Sequence, residues 1–319
     1  MYKIADYYRK ITTVLIIFLM IRFVIIAPDF VAKYLNGNDL WEMGYVFTNS
    51  FGNHAPGVNM KVAFLVILNL YFALTQFPSK KVANFLYLTG SIIALLIINT
   101  RLSLGSCIVC CLCLFIAFAV KKYKAKAVYF VGIFTVLIGV ILAVFFTVNP
   151  YMKEKYTKVT FANMDKIGKL DEVENPDGVL HNALVTRVTI WKTAIELGNK
   201  EAIFGYGSAK AKDELFRYYE ETNQQFLTKY QFPVHNQFID YYLRFGIIGF
   251  MALLYFFGDV FRISILSKNA IAFCFTLNFF FSNLFDDFLL RFDGIVFCTV
   301  FISLFYAYYL VHLKKNKFG

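Results

Sequence analysis

Three stretches of the sequence carry residue types that could do chemistry. The first, FPVHNQFIDYYLRFGIIGF at 232–250, places His235 and Asn236 directly before an apolar run, with Asp240 and Arg244 following at a spacing of i, i+4. Histidine titrates nearest to neutral pH of all side chains, so His235 suits general-base work. The spacing of Asp240 and Arg244 predicts an ion pair on one helix face. A histidine at a helix start, with Asn236 as the N-cap, explains the first two residues without any chemistry.

The other two stretches each place an arginine where phosphate binding is conceivable. Arg101 lies in NTRLSLGS (99–106), in a short turn between two apolar runs, and Arg187 lies one helical turn before Trp191 in RVTIW. The planar guanidinium suits phosphate oxygens, and a neighbouring Trp can fix its position. The alternatives are an interfacial Arg101 that reaches lipid headgroups, and an amphipathic surface helix with Trp191 at the interface.

Other motifs argue against cofactors and metals. Gly205 and Gly207 in GYGS lack the third glycine of a dinucleotide fingerprint and follow no βαβ pattern, so we expect no nucleotide site there. The six cysteines lie in apolar runs, and the CxxC cluster near residue 110 has no neighbouring His or carboxylate. This pattern favours packing over metal binding or a disulfide framework. The sequence predicts neither a cofactor nor a metal.

The composition shows what must position these residues. The 319-residue chain is 59% hydrophobic and 17% charged, with a mean hydropathy of +0.57, whereas soluble domains are about 25% charged. We therefore expect an integral membrane protein. Basic residues precede the first apolar run, and no cleavage motif follows it. This pattern predicts a retained span. The predicted spans are 11–28, 60–77, 82–99, 102–120, 127–148, 237–257, 265–284 and 294–312.

The loop charges predict the orientation. Lys and Arg in the short loops fall mainly on the side that holds both termini, so both termini are expected in the cytoplasm. The net charge of +11 is then a property of cytoplasmic loops and not a sign of nucleic-acid binding. The fold class is an all-α, polytopic transmembrane helix bundle of about eight spans. It divides into spans 1–5 (1–148), an extracytoplasmic helical loop (149–236) and spans 6–8 (237–319).

The predicted loop is too long to be structureless, and long ordered loops tend to be functional. Its basic and acidic residues are equal in number, so it is not a basic patch. Helical periodicity covers HNALVTRVTIWKTAIEL, and a second helix is expected to run from an N-cap at Ser208 to about Glu221.

Together these pieces resemble a known family. The order is a short Arg turn between two spans, an outer loop carrying RVTIW and FGYG, and then HNQFIDYYLRFGIIG entering a span. It is similar to the O-antigen ligase and polymerase family of bacterial membrane glycosyltransferases. The resemblance covers roughly Asn99 to Gly249, and it rests on order, spacing and sidedness more than on any single motif.

The resemblance implies a metal-independent enzyme without a nucleotide-sugar donor. Such enzymes move a glycan from undecaprenyl diphosphate to an acceptor glycan or to lipid A core, at the outer face of the bacterial cytoplasmic (inner) membrane. Arg101 and Arg187 would bind the diphosphate, and His235 would orient or deprotonate the acceptor hydroxyl. The remaining matches are implied as structural or neighbouring positions: Trp191, Gly205, Gly207, Asn236 and Gly246, with Asp240 and Arg244 beside them.

The chain departs from the family in having fewer spans before Arg101 and in reading TRLSL where a Ser-Arg-Gly pattern is commoner.

The sequence favours a polysaccharide polymerase, with a ligase as the close alternative. A transporter of the same lipid-linked sugar would need paired charges deep in several spans and repeated halves. A membrane scaffold would tolerate replacement of Arg101, Arg187 and His235.

Overall fold

The computed structural model describes residues 1–35, 43–76, 81–148, 156, 159–180 and 183–318. Within these ranges the regular structure is helical and contains no strand, which confirms the all-α prediction. The predicted boundary between 148 and 149 falls at the edge of these ranges. The predicted span that ends at 77 extends one residue beyond them. The helices of the first half are α1 (Tyr2–Ile26), α2 (Pro28–Leu35), α3 (Met43–Asn49), α4 (Ala55–Thr75), α5 (Lys81–Ile98), α6 (Arg101–Tyr123) and α7 (Ala127–Val148).

The second half continues with shorter helices and then returns to long ones. They are α8 (Pro176–Val179), α9 (Leu184–Gly198), α10 (Ala211–Glu221), α11 (Gln225–Tyr230), α12 (Gln237–Leu266), α13 (Ala270–Phe285) and α14 (Phe292–Phe318). Short 3₁₀ turns cover Asn199–Glu201 and Phe288–Leu290, among others.

Five helices in the described ranges are long and apolar enough to cross a membrane. They are Ala55–Thr75, Lys81–Ile98, Arg101–Val144, Gln237–Leu266 and Phe292–Val311. The third includes both α6 and α7, where two spans were expected. Of the other two expected spans, α1 carries charges such as Arg9 and Arg22, and α13 has only 16 residues. The chain is therefore a helical membrane protein, while the count of eight and the orientation of the termini stay predictions.

The chain divides into two compact units. The first contains Met1–Tyr151, Val260–Ser282 and Val296–Gly319. Helix α4 forms its core, since 72% of its apolar window is buried, compared with 28% for α5. Polar side chains connect the helices. Asn69 on α4 donates to Thr13 Oγ1 at 3.1 Å and to Ser91 Oγ at 3.0 Å.

The same unit contains a fully buried arginine, Arg9. Arg9 is 0% exposed, and it donates to Asp6 Oδ1 at 2.8 Å and to Asn84 Oδ1 at 2.9 Å. Its guanidinium carbon also lies 4.4 Å from the centre of the Phe72 ring. A buried charge is tolerated only when paired and hydrogen-bonded, so these contacts explain how Arg9 can lie inside the unit.

The second unit contains Met152–Asp259 and Asn283–Ile295. Its apolar core includes Ile190 of α9, Leu215 and Tyr219 of α10, and Leu243 of α12. The two predicted loop helices are therefore present, but the predicted N-cap at Ser208 is wrong. Helix α10 begins at Ala211 without a side-chain cap, because residues 208–210 form a turn and Lys210 occupies the N-cap position. The Ser208 carbonyl accepts a hydrogen bond from Arg244 Nη1 at 2.6 Å. The predicted division into three parts, at 148 and 236, concerns membrane topology. The two compact units are defined by packing and do not test it.

Helix α12 contains a break at Gly246. This residue has φ 62° and ψ −158°, which is a conformation outside the helical region and is essentially restricted to glycine. An added Cβ would lie 2.2 Å from the Ile203 carbonyl oxygen. The loop backbone replaces the helical bonds lost at the break: Tyr206 N donates to Leu243 O, and Ile247 N donates to Ala202 O, at 3.0 and 2.8 Å.

Candidate functional site

The segment that carries His235 is held on both sides. Asn236 accepts hydrogen bonds at Oδ1 from the backbone N–H groups of Phe238 (2.9 Å) and Ile239 (3.1 Å). It is therefore the N-cap of α12, as the sequence predicts. Its Nδ2 donates to the Leu284 carbonyl at 2.9 Å. On the other side of His235, the Val234 carbonyl accepts a bond from Trp191 Nε1 at 3.0 Å.

His235 itself has a left-handed backbone, with φ 51°. Such a conformation is uncommon for a residue with a side chain and is often found at functional sites, where surrounding contacts enforce it. Here the enforcing contacts are those of Val234 and Asn236. The conformation sets the direction in which the imidazole leaves the chain.

The imidazole lies beside a carboxylate that the sequence analysis did not select. His235 Nδ1 is 3.5 Å from Asp286 Oδ1, and the two side chains are 23% and 5% exposed. This is long for a hydrogen bond but short for an ion pair. Arg291 Nη2 lies 3.2 Å from Asp286 Oδ1 and 3.2 Å from Asp287 Oδ1. The result is a partly buried cluster of one imidazole, two carboxylates and one guanidinium.

The two carboxylates of this cluster differ in acidity. Burial alone would raise the pKa of Asp286, but the neighbouring His235 imidazole and the Arg291 charge outweigh it and hold that pKa well below its usual range. Burial and the adjacent Asp286 charge raise the pKa of Asp287. Asp286 is thus the carboxylate that stays ionised beside His235.

The same cluster has the donor atoms for a cation. One atom each from His235, Asp286 and Asp287 lie within 4.8 Å of one another, and imidazole with carboxylates is a common metal-ligand set. The guanidinium of Arg291 lies at hydrogen-bonding distance from both carboxylates and offsets one of their two negative charges. Metal independence stays a prediction.

Arg187 and Trp191 contact the chain next to Asp286. Arg187 Nη1 donates to the Phe285 carbonyl, and the Trp191 ring lies 5.6 Å from the Phe285 ring. A guanidinium has five N–H donors, so this bond leaves others for a ligand. Both residues lie on α9, one turn apart, and together they connect that helix to the His235 and Asp286 segments.

The remaining predicted residues of this unit support α12. The Asp240–Arg244 ion pair is present, with Oδ2 and Nε 2.6 Å apart. Gly205 has φ 66°, and an added Cβ would lie 2.5 Å from the Arg244 carbonyl carbon. Gly207 N donates to the Arg244 carbonyl at 2.8 Å. These contacts join the FGYG loop to the break in α12, which gives the two glycines a structural role.

Arg101 belongs to the other unit. It is the first residue of α6, directly after the N-cap Thr100, so the expected short turn between α5 and α6 is present. Thr100 Oγ1 accepts a bond from Asn59 Nδ2 at 2.8 Å and donates to Ser103 Oγ at 2.9 Å. The local structure fixes the backbone at the start of α6.

The sequence contained a signal for the missed residues. The run LFDDFLLRF at 284–292 places two acids and an arginine between two apolar segments. Charges beside hydrocarbon are costly and usually have a partner or a task. We therefore expect Asp286, Asp287 and Arg291 to have partners or a function.

Comparison with known proteins agrees with the motifs. A family model described as O-antigen ligase matches residues 83–254. No curated protein sequence matches the chain. The family match includes Arg101, Arg187 and His235 and ends before Asp286. Because it covers more than half of the chain, the chain belongs to the O-antigen ligase family.

Proposed function

We propose that the protein is a glycosyltransferase that moves an undecaprenyl-diphosphate-linked glycan onto an acceptor sugar. Polymerisation of repeat units is the leading reaction, and attachment to lipid A core is the alternative. The observation that carries the proposal is His235, held in a left-handed conformation 3.5 Å from the buried carboxylate of Asp286. The family membership supplies the substrate class.

The geometry supports a general-base role for His235. With Nδ1 directed at Asp286, the second ring nitrogen, Nε2, is available for the acceptor hydroxyl. The acceptor oxygen bonds to the anomeric carbon as the bond from that carbon to the diphosphate breaks. The diphosphate leaves with the bonding electrons, and the hydroxyl proton moves to Nε2. Asp286 stabilises the resulting imidazolium, as the carboxylate of a catalytic triad does.

The arginines are proposed to act on the leaving group. Arg187 lies next to this cluster through its bond to the Phe285 carbonyl, and its remaining donors suit diphosphate oxygens. Developing negative charge on a leaving diphosphate is stabilised by fixed cations. For Arg101 the same role rests on the family resemblance alone.

The location follows from the substrate. Lipid-linked glycans of this class are used outside the cytoplasm, so we place the loop predicted at 149–236 on the extracytoplasmic face of the bacterial cytoplasmic membrane. No nucleotide, metal or nucleic acid enters the proposed reaction.

The test is replacement of Arg101, Arg187 and His235 singly by Ala at matched expression, with surface glycan length read on a gel. Loss of long chains with single repeats remaining supports a polymerase. Lipid-linked polymer that never reaches lipid A supports a ligase. An unchanged ladder for all three variants overturns the catalytic proposal.

A second measurement separates transfer from transport. Purified protein in detergent has no sealed compartments, so a transporter would produce no new chemical species. A transferase should lengthen an undecaprenyl-diphosphate-linked repeat unit, or transfer it to added lipid A core, and the His235→Ala variant should not. Absence of any new glycosidic product with active substrate preparations would favour the transporter.

A further inference from the structure

An exposed apolar tip lies in the second unit, away from the His235 cluster. It consists of Ile203 and Phe204, which follow the 3₁₀ turn Asn199–Glu201 and precede the FGYG glycines. Their side chains are 59% and 73% exposed. A single exposed apolar residue needs no explanation, but two adjacent large ones on a rigid loop mark an interaction surface.

The tip is rigid because its backbone is fixed to α12. Ala202 O accepts a hydrogen bond from Ile247 N at 2.8 Å, and Tyr206 N donates to Leu243 O at 3.0 Å. The break at Gly246 brings its Cα directly against the Ile203 carbonyl. These bonds hold Ile203 and Phe204 beside one defined position on α12.

That position separates two environments along α12. Before the break, Leu243 is buried in the apolar core of the loop helices. After it, α12 continues from Ile247 to Leu266, a length of about 30 Å at the ~1.5 Å rise per residue of an α-helix, which matches the hydrocarbon thickness of a bilayer. The residues directly after the break are exposed and apolar: Ile247 (46%), Ile248 (53%) and Met251 (55%).

The exposed tip and this exposed helix face adjoin at the break. The flanking residues Ala202 and Tyr206 bond to Ile247 and Leu243, and Gly246 packs against the Ile203 carbonyl, so the tip lies beside the start of this helix face. Lipid is the expected neighbour of an exposed apolar face on a membrane-length helix. Because the tip adjoins that helix face, lipid is the expected neighbour of the tip as well. Tyr242, whose hydroxyl donates to Asn199 Oδ1 at 2.7 Å, adds an aromatic residue of the type that prefers the membrane interface.

We propose that Ile203 and Phe204 insert among the acyl chains of the adjacent leaflet. Through the Gly246 contact, the insertion fixes the depth at which the loop helices lie on the bilayer. The partner is the lipid itself and not a second protein. The inference does not depend on the proposed reaction.

The test measures the surroundings of residue 204 directly. A nitroxide spin label is placed by Phe204→Cys in the full chain, which is reconstituted in phosphatidylcholine–phosphatidylglycerol nanodiscs. Collision rates are measured with oxygen, which concentrates in lipid, and with a water-soluble nickel chelate. Met251→Cys is the lipid reference. Ala209→Cys, exposed on the same loop, is the water reference, and labelled unmodified protein corrects for the six native cysteines.

We expect the label at 204 to resemble the label at 251, with oxygen collisions exceeding nickel collisions. A nickel excess like that at 209 would overturn the proposal, because the tip would then lie in water. Low collision rates with both reagents would also overturn it, since they indicate burial against protein, such as a second copy of the chain. Ile203→Cys repeats the measurement in case the first variant does not fold, as judged by its elution from a sizing column.

Discussion

His235 Nδ1 lies 3.5 Å from Asp286 Oδ1, and Arg291 Nη2 lies 3.2 Å from the same oxygen. The three groups alternate in charge when the imidazole is protonated. A base that gains a proton during the reaction is favoured by such a neighbour, because the charge it acquires is already balanced. Contacts of this kind are often loose without substrate and tighten in the reacting complex.

Replacement of Asp286 by Asn should lower the transfer rate about tenfold or more, up to the ~10²–10⁴-fold that general-base catalysis contributes. The amide keeps the size of the side chain but cannot balance an imidazolium. Transfer of a lipid-linked repeat unit by purified protein measures the effect. The matched control is Asp287→Asn, which leaves the His235–Asp286 contact intact and should cost less.

A bound cation would change the activities of Asp286→Asn and Asp287→Asn in a different way. If His235, Asp286 and Asp287 held a metal, both substitutions would be severe and a chelator would abolish activity. We expect activity to survive chelation. Equal losses together with chelator sensitivity would replace the general-base interpretation with a metal-based one.

Arg187→Ala should lose activity, and Arg187→Lys should recover only part of that loss. Lysine keeps the charge but lacks the fork that can bind the Phe285 carbonyl and a phosphate together. Rates at saturating donor and the donor KM are measured for both variants. Lys192→Ala is the control, since Lys192 is on the same helix and pairs with the exposed Glu196 at 3.9 Å. An Arg187→Ala enzyme with unchanged KM and rate would remove Arg187 from the site.

Asn236→Asp should destabilise the second unit although aspartate is as good an N-cap. The substitution keeps the acceptor for Phe238 N but replaces the donor to the Leu284 carbonyl with another oxygen. Loss of a buried hydrogen-bond partner costs about 1–3 kcal/mol. Thermal unfolding in detergent should show a lower Tm than for the parent protein. An unchanged Tm would mean that the bond to Leu284 contributes little.

Gly246→Ala should lower stability strongly, because the left-handed φ and the Ile203 carbonyl both oppose a Cβ. Backbone strain of this type alone costs about 1–3 kcal/mol. Gly258→Ala, in the same helix and with no neighbouring atom within 4 Å of its added Cβ, should be neutral or slightly stabilising. Similar Tm values for the two variants would show that the break at Gly246 is not required.

Local sequence signals predicted the parts of the structure that local geometry determines. Asn236 as a cap and the Asp240–Arg244 pair depend only on spacing along one helix, and both are present. Ser208 failed as a cap because the chain makes a turn over 208–210 before α10 begins at Ala211. The Asp286 contact depends on tertiary packing between separate segments, so spacing could not reveal it. The rule that charges beside hydrocarbon need partners was the one sequence signal that applied to it.

The three consecutive residues His235, Asn236 and Gln237 all contact the segment from Leu284 to Leu289. Asn236 binds Leu284 O, His235 faces Asp286, and Gln237 Oε1 accepts a bond from Leu289 N at 2.8 Å. This segment is synthesised after α12 and α13. While the chain is emerging from the ribosome, His235 therefore has no carboxylate beside it. The complete cluster can therefore form only after the chain has been synthesised through Arg291, so a chain arrested or truncated before that residue would lack it.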